Sequence, residues 1–284
     1  MSEVPAPTKR KHKPRKWAKG AHGRHQPWQH HDPALVMGLR GQHPAILESR
    51  TLFPSTVVDA SASPRVLVSG VNSRKIGARV TKGRWKGMPI YTLTLQERAT
   101  CPTSCAVWVT CYGNNMHYAR RHNPGPELED KIIREVTMLS RKHTLGFVIR
   151  LHVLGDFYSP EYVRMWLSLV LAYPQLHIFG FTAHPSTSEI GAEVAHLNDL
   201  SAGHCVIRFS KGLIEDKFAF PTAETIHYDP KSNTHNGGVI CPVQTNKTPA
   251  CATCGLCWTT AKPIVFLLHG RAKKNATPTN APSG

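Results

Sequence analysis

The chain has no apolar run approaching the roughly 18–20 residues that a bilayer-spanning helix needs. No apolar stretch follows the basic residues near its start, so neither a membrane contact nor a secretory leader is expected. Acidic residues are scarce. Against 35 Lys and Arg there are 18 Asp and Glu, which leaves a net charge of +17 over 284 residues. That excess implies a polyanionic partner, because clustered Lys and Arg release counterions when they meet phosphates. No internal repeat or low-complexity block breaks the chain apart from a polar tail after Arg271. The expected compartment is the reducing cytoplasm, where disulfides are rare. Eight cysteines therefore call for another explanation.

The length allows one large domain with appendages. Residues 1–33 hold eight Lys or Arg between Lys9 and Arg24 and no apolar periodicity, as a disordered basic arm does. Nucleic acid is its expected partner, with Trp17 and Trp28 available to stack on bases. Residues 34–240 read as an α/β domain, 241–271 as a Cys-rich metal segment, and 272–284 as a disordered tail. Strands are expected at 66–68 and at 90–95, where Tyr91, Leu93 and Leu95 alternate with threonines. Between them, NSRKIGARVTKGRWKG is basic and Gly-punctuated, as a loop facing an anion is. Apolar residues at Ile132, Ile133, Val136 and Leu139 predict an amphipathic helix over 127–143. Beyond it the pattern predicts a strand at 147–154, a helix at 160–173, a strand at 177–183, a helix at 187–197 and a strand at 205–209. Strand starts recur about every 30 residues, the length of a βαβ unit. The expected fold is α/β, a partial or distorted β/α barrel with parallel strands.

Two of these strands carry residues that a doubly buried parallel strand does not ordinarily hold. Ile149, Leu151 and Val153 share one face, while Arg150, His152 and Asp156 lie on or near the other. Arg208 and Ser210 share a face with Val206. Buried charges are costly unless paired or bound to a ligand, so Arg150, His152 and Arg208 together predict a polar site lining a barrel interior.

The cysteines fall into two groups. TCPTSCAVWVTCYG places Cys101, Cys105 and Cys111 in a C-x3-C-x5-C run directly after the 90–95 strand. ICPVQTNKTPACATCGLCW places Cys241, Cys251, Cys254 and Cys257 in a C-x9-C-x2-C-x2-C run. Tight C-x2-C-x2-C spacing is characteristic of iron–sulfur ligation, and zinc also uses C-x2-C. Four thiolates close a site, whereas three on a [4Fe–4S] cluster leave one iron open. Zinc would take four of the seven, or three with His117 or His122. Cys205 sits alone on a predicted strand, as a small buried hydrophobe.

Over roughly residues 65–270 the chain resembles the gene-88 proteins of phages. The strings CPTSC…CYG, RLHVLGDFYSPEYVRMW, FGFTAHP and CPVQTNKTPACATCGLCW carry the likeness. In the order of its parts it also resembles radical S-adenosylmethionine enzymes, which set three cluster cysteines after the first barrel strand and an acidic motif after the second. The last cysteine gap differs, being five residues where those enzymes have two, and Gly155-Asp156 stands where they carry Gly-Gly-Glu.

The radical-enzyme resemblance implies that Cys101, Cys105 and Cys111 hold a cluster binding S-adenosylmethionine, that Asp156 accepts the methionine amine, and that the four-cysteine group holds an auxiliary cluster. Sites on β/α barrels lie at the C-terminal ends of strands, where Gly155, Asp156, Thr182, His184 and Ser210 fall. Arg150 or Arg208 would pair a carboxylate or phosphate, and His152 would orient substrate or donate a proton. Two other readings stand beside this one. One is a non-catalytic zinc protein that binds nucleic acid. The other is a hydrolase whose metal-activated water is held by His152, Asp156 and His184.

Overall fold

The computed structural model describes Ala45 and residues 48–105, 107–108, 111–211, 222–226 and 237–267. The expected basic arm and C-terminal tail, with Trp17 and Trp28, lie outside the described residues.

Among the described residues, ten strands and six α-helices follow in chain order. Two short strands, β1 (Val57–Val58) and β2 (Val68–Ser69), precede β3 (Ile90–Thr92). Next come α1 (Glu97–Thr100), β4 (Arg121–His122), α2 (Pro126–Lys142) and β5 (Phe147–Arg150). The pattern then alternates through α3 (Pro160–Ala172), β6 (Leu176–Thr182), α4 (Glu189–Leu200) and β7 (Cys205–Lys211). The chain continues with β8 (Thr222–Ile226), β9 (Val239–Ile240), α5 (Cys251–Cys254), α6 (Leu256–Thr259) and β10 (Ile264–Leu267).

Eight strands form one sheet in the order β2-β3-β5-β6-β7-β8-β10-β9. Only β2 runs antiparallel to its neighbour; all other pairs are parallel. From β3 to β8 the spatial order follows the chain order, as in a β/α barrel. The fold class is α/β, with a mostly parallel sheet that among the described residues does not close on itself.

Local chemistry sets the helix ends. Ser159 Oγ accepts the Tyr162 N–H at the start of α3, and Ser188 Oγ accepts the Gly191 N–H at the start of α4. Each hydroxyl satisfies one of the donors a helix N-terminus leaves free. The apolar stripe of α2, with Leu128, Ile132, Val136 and Leu139, turns toward the sheet. Glu135 on that face accepts the backbone N–H groups of Val66 and Leu67 at 2.9 and 2.8 Å, which fixes the approach to β2.

The sheet buries both faces. Helices α2, α3 and α4 cover one, over a core that includes Phe147, Ile149, Ile178, Ile207 and Trp166. Residues 76–88 and the Cys-rich segment cover the other, where Trp85 and Trp258 stack against each other beneath Ile90, Val148 and Phe179. No helix among the described residues is long and apolar enough to cross a membrane.

Candidate metal centre

The chain leaves β3 through Leu93 and Leu95, both fully buried, enters α1 and delivers Cys101 at its C-terminus, where the Cys101 N–H bonds the Glu97 carbonyl at 3.0 Å. Cys105 and Cys111 follow on the loop, and Cys111 Sγ accepts the Gly113 N–H. Buried charges hold this loop. Arg121 and Glu97 form an ion pair at 2.8 Å with both side chains buried. The same guanidinium donates to the carbonyls of Gly113, Met116 and Ala119 and to Thr56 Oγ1. Thr51 donates to the other Glu97 oxygen. Arg98 donates to the Trp108 carbonyl and to Asn114, and its guanidinium lies 4.4 Å from the centre of the Trp108 ring. Sequence reasoning passed over Glu97, Arg98 and Arg121. For Glu97 and Arg98 the available signal was a charged residue within four positions of the first cysteine; Arg121, farther along the chain, carried none.

Burial pushes all three thiols above their ordinary range, Cys111 to about 11. Asp156 adds to the rise at Cys101 and Cys105, as does Glu97 at Cys101 and Cys111, so these groups share one neighbourhood.

Gly155-Asp156 reaches that neighbourhood from the end of β5. Gly155 has φ +85°, and a Cβ there would stand 2.6 Å from both Leu95 Cβ and Thr100 Oγ1. Only glycine permits so close an approach to the strand and helix that lead into the cysteine loop. Asp156 donates its N–H to Thr100 Oγ1. Its carboxylate accepts the N–H groups of Phe157 at 2.8 Å and Ala183 at 2.7 Å and bonds the Thr182 side chain. Burial raises its pKa, against the pull of His184 and these donors. Asp156 thus ties the end of β5 to the end of β6. His184 binds the Phe157 carbonyl through Nε2 at 2.8 Å and lies in the same knot. Ser210 is half-buried on β7, paired in register with Ala223.

The polar residues expected along one strand face divide between the two. Arg150 lies on the Cys-rich side, its guanidinium over the rings of Phe179 and Phe181 at 5.6 and 4.8 Å. His152 turns to the helical side, against Phe157 and Tyr162. The reason is local: β5 ends at Arg150, and His152 takes φ +53°, which breaks the period-2 alternation. The same break moves Val153, expected beside Ile149 and Leu151, to the Cys-rich side. Burial holds the His152 pKa down to about 3, so the ring is neutral at physiological pH. Its Nε2 meets Tyr162 Oη at 3.2 Å, and its Nδ1 has no partner.

Arg208 is fully buried and bonds five backbone carbonyls, those of Thr222, Leu256, Cys257, Thr260 and Lys262. A guanidinium has five N–H donors, so none is left for a carboxylate or phosphate. Arg208 anchors the Cys-rich segment to β7. That segment carries Cys241, Cys251, Cys254 and Cys257, which all line one cavity of about 10 Å³, room for roughly one water or ion. Burial raises Cys251 to about 11 and Cys257 further still, and each rises again through its cysteine neighbours. The Arg150 charge opposes the rise at both, and also acts on Tyr112 beside Cys111. Arg150 therefore lies within electrostatic reach of the Cys-rich segment and of Tyr112, next to Cys111 in the chain.

All eight cysteines are free thiols. Cys205 is buried in the apolar core under the helices. Among the described residues no three or more His, Cys, Asp or Glu are drawn together in an arrangement that holds a metal ion. Three half-buried thiols nonetheless share a charged, braced loop and four line one cavity, and a bound cation would relieve the mutual repulsion of their thiolate forms. His117 packs edge-on to Phe53, and the buried His122 is held by burial at a pKa of about 4.

The family model described as gene product 88 matches residues 66–260. The gene 88 protein of Mycobacterium phage D29 is 25% identical over 203 residues, covering 59% of this chain and 81% of that protein. No solved structure matches the chain.

Proposed function

The chain belongs to the gene product 88 family of phage proteins, and on that premise we propose that it is an iron–sulfur enzyme of the radical S-adenosylmethionine kind, acting in the cytoplasm on an anionic substrate. The observation that carries this reading is the packing of Gly155, with no room for a Cβ, against the base of the three-cysteine loop. It brings the turn after β5 and the loop after β3 together at the C-terminal ends of adjacent parallel strands, where α/β folds place their sites.

Cys101, Cys105 and Cys111 would hold the open cluster, and Cys241, Cys251, Cys254 and Cys257 an auxiliary one. When bound to three cysteines, a [4Fe–4S] group supplies one-electron reduction at the iron that lacks a protein ligand. The chain's own residues shape what surrounds it. Asp156, with its carboxylate already engaged, positions the 155–157 turn and leaves backbone groups to meet the methionine amine. Arg150, on the Cys-rich side of β5, supplies the cation for a carboxylate or phosphate. His152 stays neutral and uncharged beneath the site. The basic arm would hold a polyanionic substrate nearby.

A second reading has one specific observation in its favour. The cavity shared by the four C-terminal cysteines has single-ion size, which suits a zinc staple in a nucleic-acid-binding protein.

Separate Cys105→Ala and Cys254→Ala variants, purified without oxygen, test the proposal. Cys105→Ala is expected to lose about half of the iron and all reductive cleavage of S-adenosylmethionine, and Cys254→Ala the other half of the iron. Unchanged iron and cleavage in Cys105→Ala would overturn the ligand assignment.

A further inference from the structure

We infer that the outer surface of the cover formed by residues 73–88 and 237–263 over one sheet face is a docking surface for the phosphate backbone of a nucleic acid, separate from the basic N-terminal arm. The inference shares with the proposed function only the anionic substrate, and is independent of the metal.

The two sides of the molecule carry different charge. Over the helical face, α2, α3 and α4 hold eight Asp or Glu against five Lys or Arg. The opposite cover holds no acidic residue at all. Its first part presents Arg74, Lys75, Arg79, Lys82, Arg84 and Lys86, all exposed. Its second part adds exposed Lys247 and Lys262. Among the described residues none of these eight forms an ion pair. A solvated protein face ordinarily mixes both signs, and an unmixed basic one attracts a polyanion.

The backbone explains how the cations are presented. Ile76, Val80 and Trp85 are buried under the loop, so the apolar residues of this stretch point inward and the intervening basic ones outward. Gly83 and Gly87, at φ +76° and +89°, make the turns between them, and a Cβ at Gly87 would meet nothing within 4 Å. The turn therefore has open space around it that a phosphate chain can enter. The loop is also stitched to the Cys-rich segment. Cys251 and Ala252 donate their N–H groups to the carbonyls of Lys75 and Ile76 at 2.8 and 2.9 Å, and Thr81 donates back to Ala252 at 3.0 Å. A bound strand would lie alongside the second cysteine group.

A test in the full-length chain replaces Arg74, Lys75, Lys82 and Lys86 together with Gln. Arg79 and Arg84 stay, because they bond the Gly87 and Gly203 carbonyls. A milder variant carries Lys82→Gln and Lys86→Gln alone, and a comparison variant carries Gln at Lys9, Arg10, Lys11 and Lys13 in the arm. The probes are a labelled 30-nucleotide single strand and its duplex, titrated from about 0.05 to 0.2 M salt. Four lost phosphate contacts should flatten the log–log salt slope by about 3 and weaken binding at 0.15 M on the order of 100-fold. The milder variant should lose about half of that slope. Wild-type affinity at every salt concentration in both loop variants, with the arm variant weakened, would overturn the surface and leave the arm as the sole binding element. Failure of the wild-type chain to bind either probe would overturn it too. Iron content measured on the same samples separates the two ideas. Lost slope in an iron-free chain sinks the cluster and keeps the surface, and intact iron with unchanged slope does the reverse.

Discussion

Replacing Arg208 with Met removes the buried guanidinium while keeping an unbranched stem in its place. The five carbonyls it now satisfies belong to β8 and, in four cases, to the Cys-rich segment or its exit. Hydrogen bonds to a charged group contribute a net of about 1.5–3 kcal/mol each, but five to one group are not additive, and burying the guanidinium itself costs several kcal/mol. The net loss expected is that of the buried carbonyls left unpaired, about 1–3 kcal/mol for each one that water does not reach, less the desolvation of the guanidinium, or roughly 3–5 kcal/mol in all. For a domain of this size that corresponds to a fall of roughly 6–20 °C in Tm. Thermal unfolding followed by circular dichroism reads it directly. The Cys-rich segment should loosen first, so its own Trp258, buried against Trp85 and the sheet, should become accessible to a quencher below the main transition. A variant melting within about 2 °C of the parent, with Trp258 still protected, would refute the anchoring role.

Three other outcomes follow from the same geometry. Gly155→Ala forces a Cβ into Leu95 and Thr100 at a backbone angle alanine rarely adopts, and should cost about 2–4 kcal/mol in denaturant unfolding. A cost below about 0.5 kcal/mol would contradict the close approach. Removing one partner of the buried Glu97–Arg121 pair, as in Glu97→Gln, should destabilise by about 3–5 kcal/mol, and adding Arg121→Met should cost much less than the sum of the two single changes. Strict additivity in that double-mutant cycle would show that the two charges act independently. In the metal-free chain, burial holds the Cys111 and Cys251 thiols near 11, above the ordinary value near 9. Folded thiols then bind protons more tightly than unfolded ones, so their contribution is complete below pH 9 and is lost as pH rises through 11. The urea midpoint should fall over that window by an amount worth roughly 2–3 kcal/mol per thiol. A Cys111→Ser/Cys251→Ser variant with the same pH profile as the parent would contradict it.

Much of the sheet was legible because its strands and helices are long enough to show their period. The helices expected at 127–143 and 160–173 occur as α2 and α3, and the strands at 177–183 and 205–209 as β6 and β7, each within two residues at either end. The cysteine spacing marked the loop after β3 and the segment that covers one sheet face. What periodicity could not reveal was where a strand stops. The expected 147–154 strand ends at Arg150, and the positive φ of His152 sends that side chain to the helical layer. Nor could sequence separate a buried cation waiting for a ligand from one already satisfied. Arg208 meets carbonyls as far as 54 positions away in the chain, and those partners carry no side-chain signature. Glu97 and Arg121 pair over 24 positions, a separation at which no local pattern announces the partner.

The most direct test of the account is iron, zinc and acid-labile sulfide content, with an ultraviolet–visible spectrum, on protein purified without oxygen. Two [4Fe–4S] clusters predict about eight irons and matching sulfide per chain, with a broad absorption band near 400 nm that bleaches on reduction. A colourless protein carrying one or two zinc ions would contradict the radical mechanism and make the cysteine groups structural staples of a nucleic-acid-binding protein.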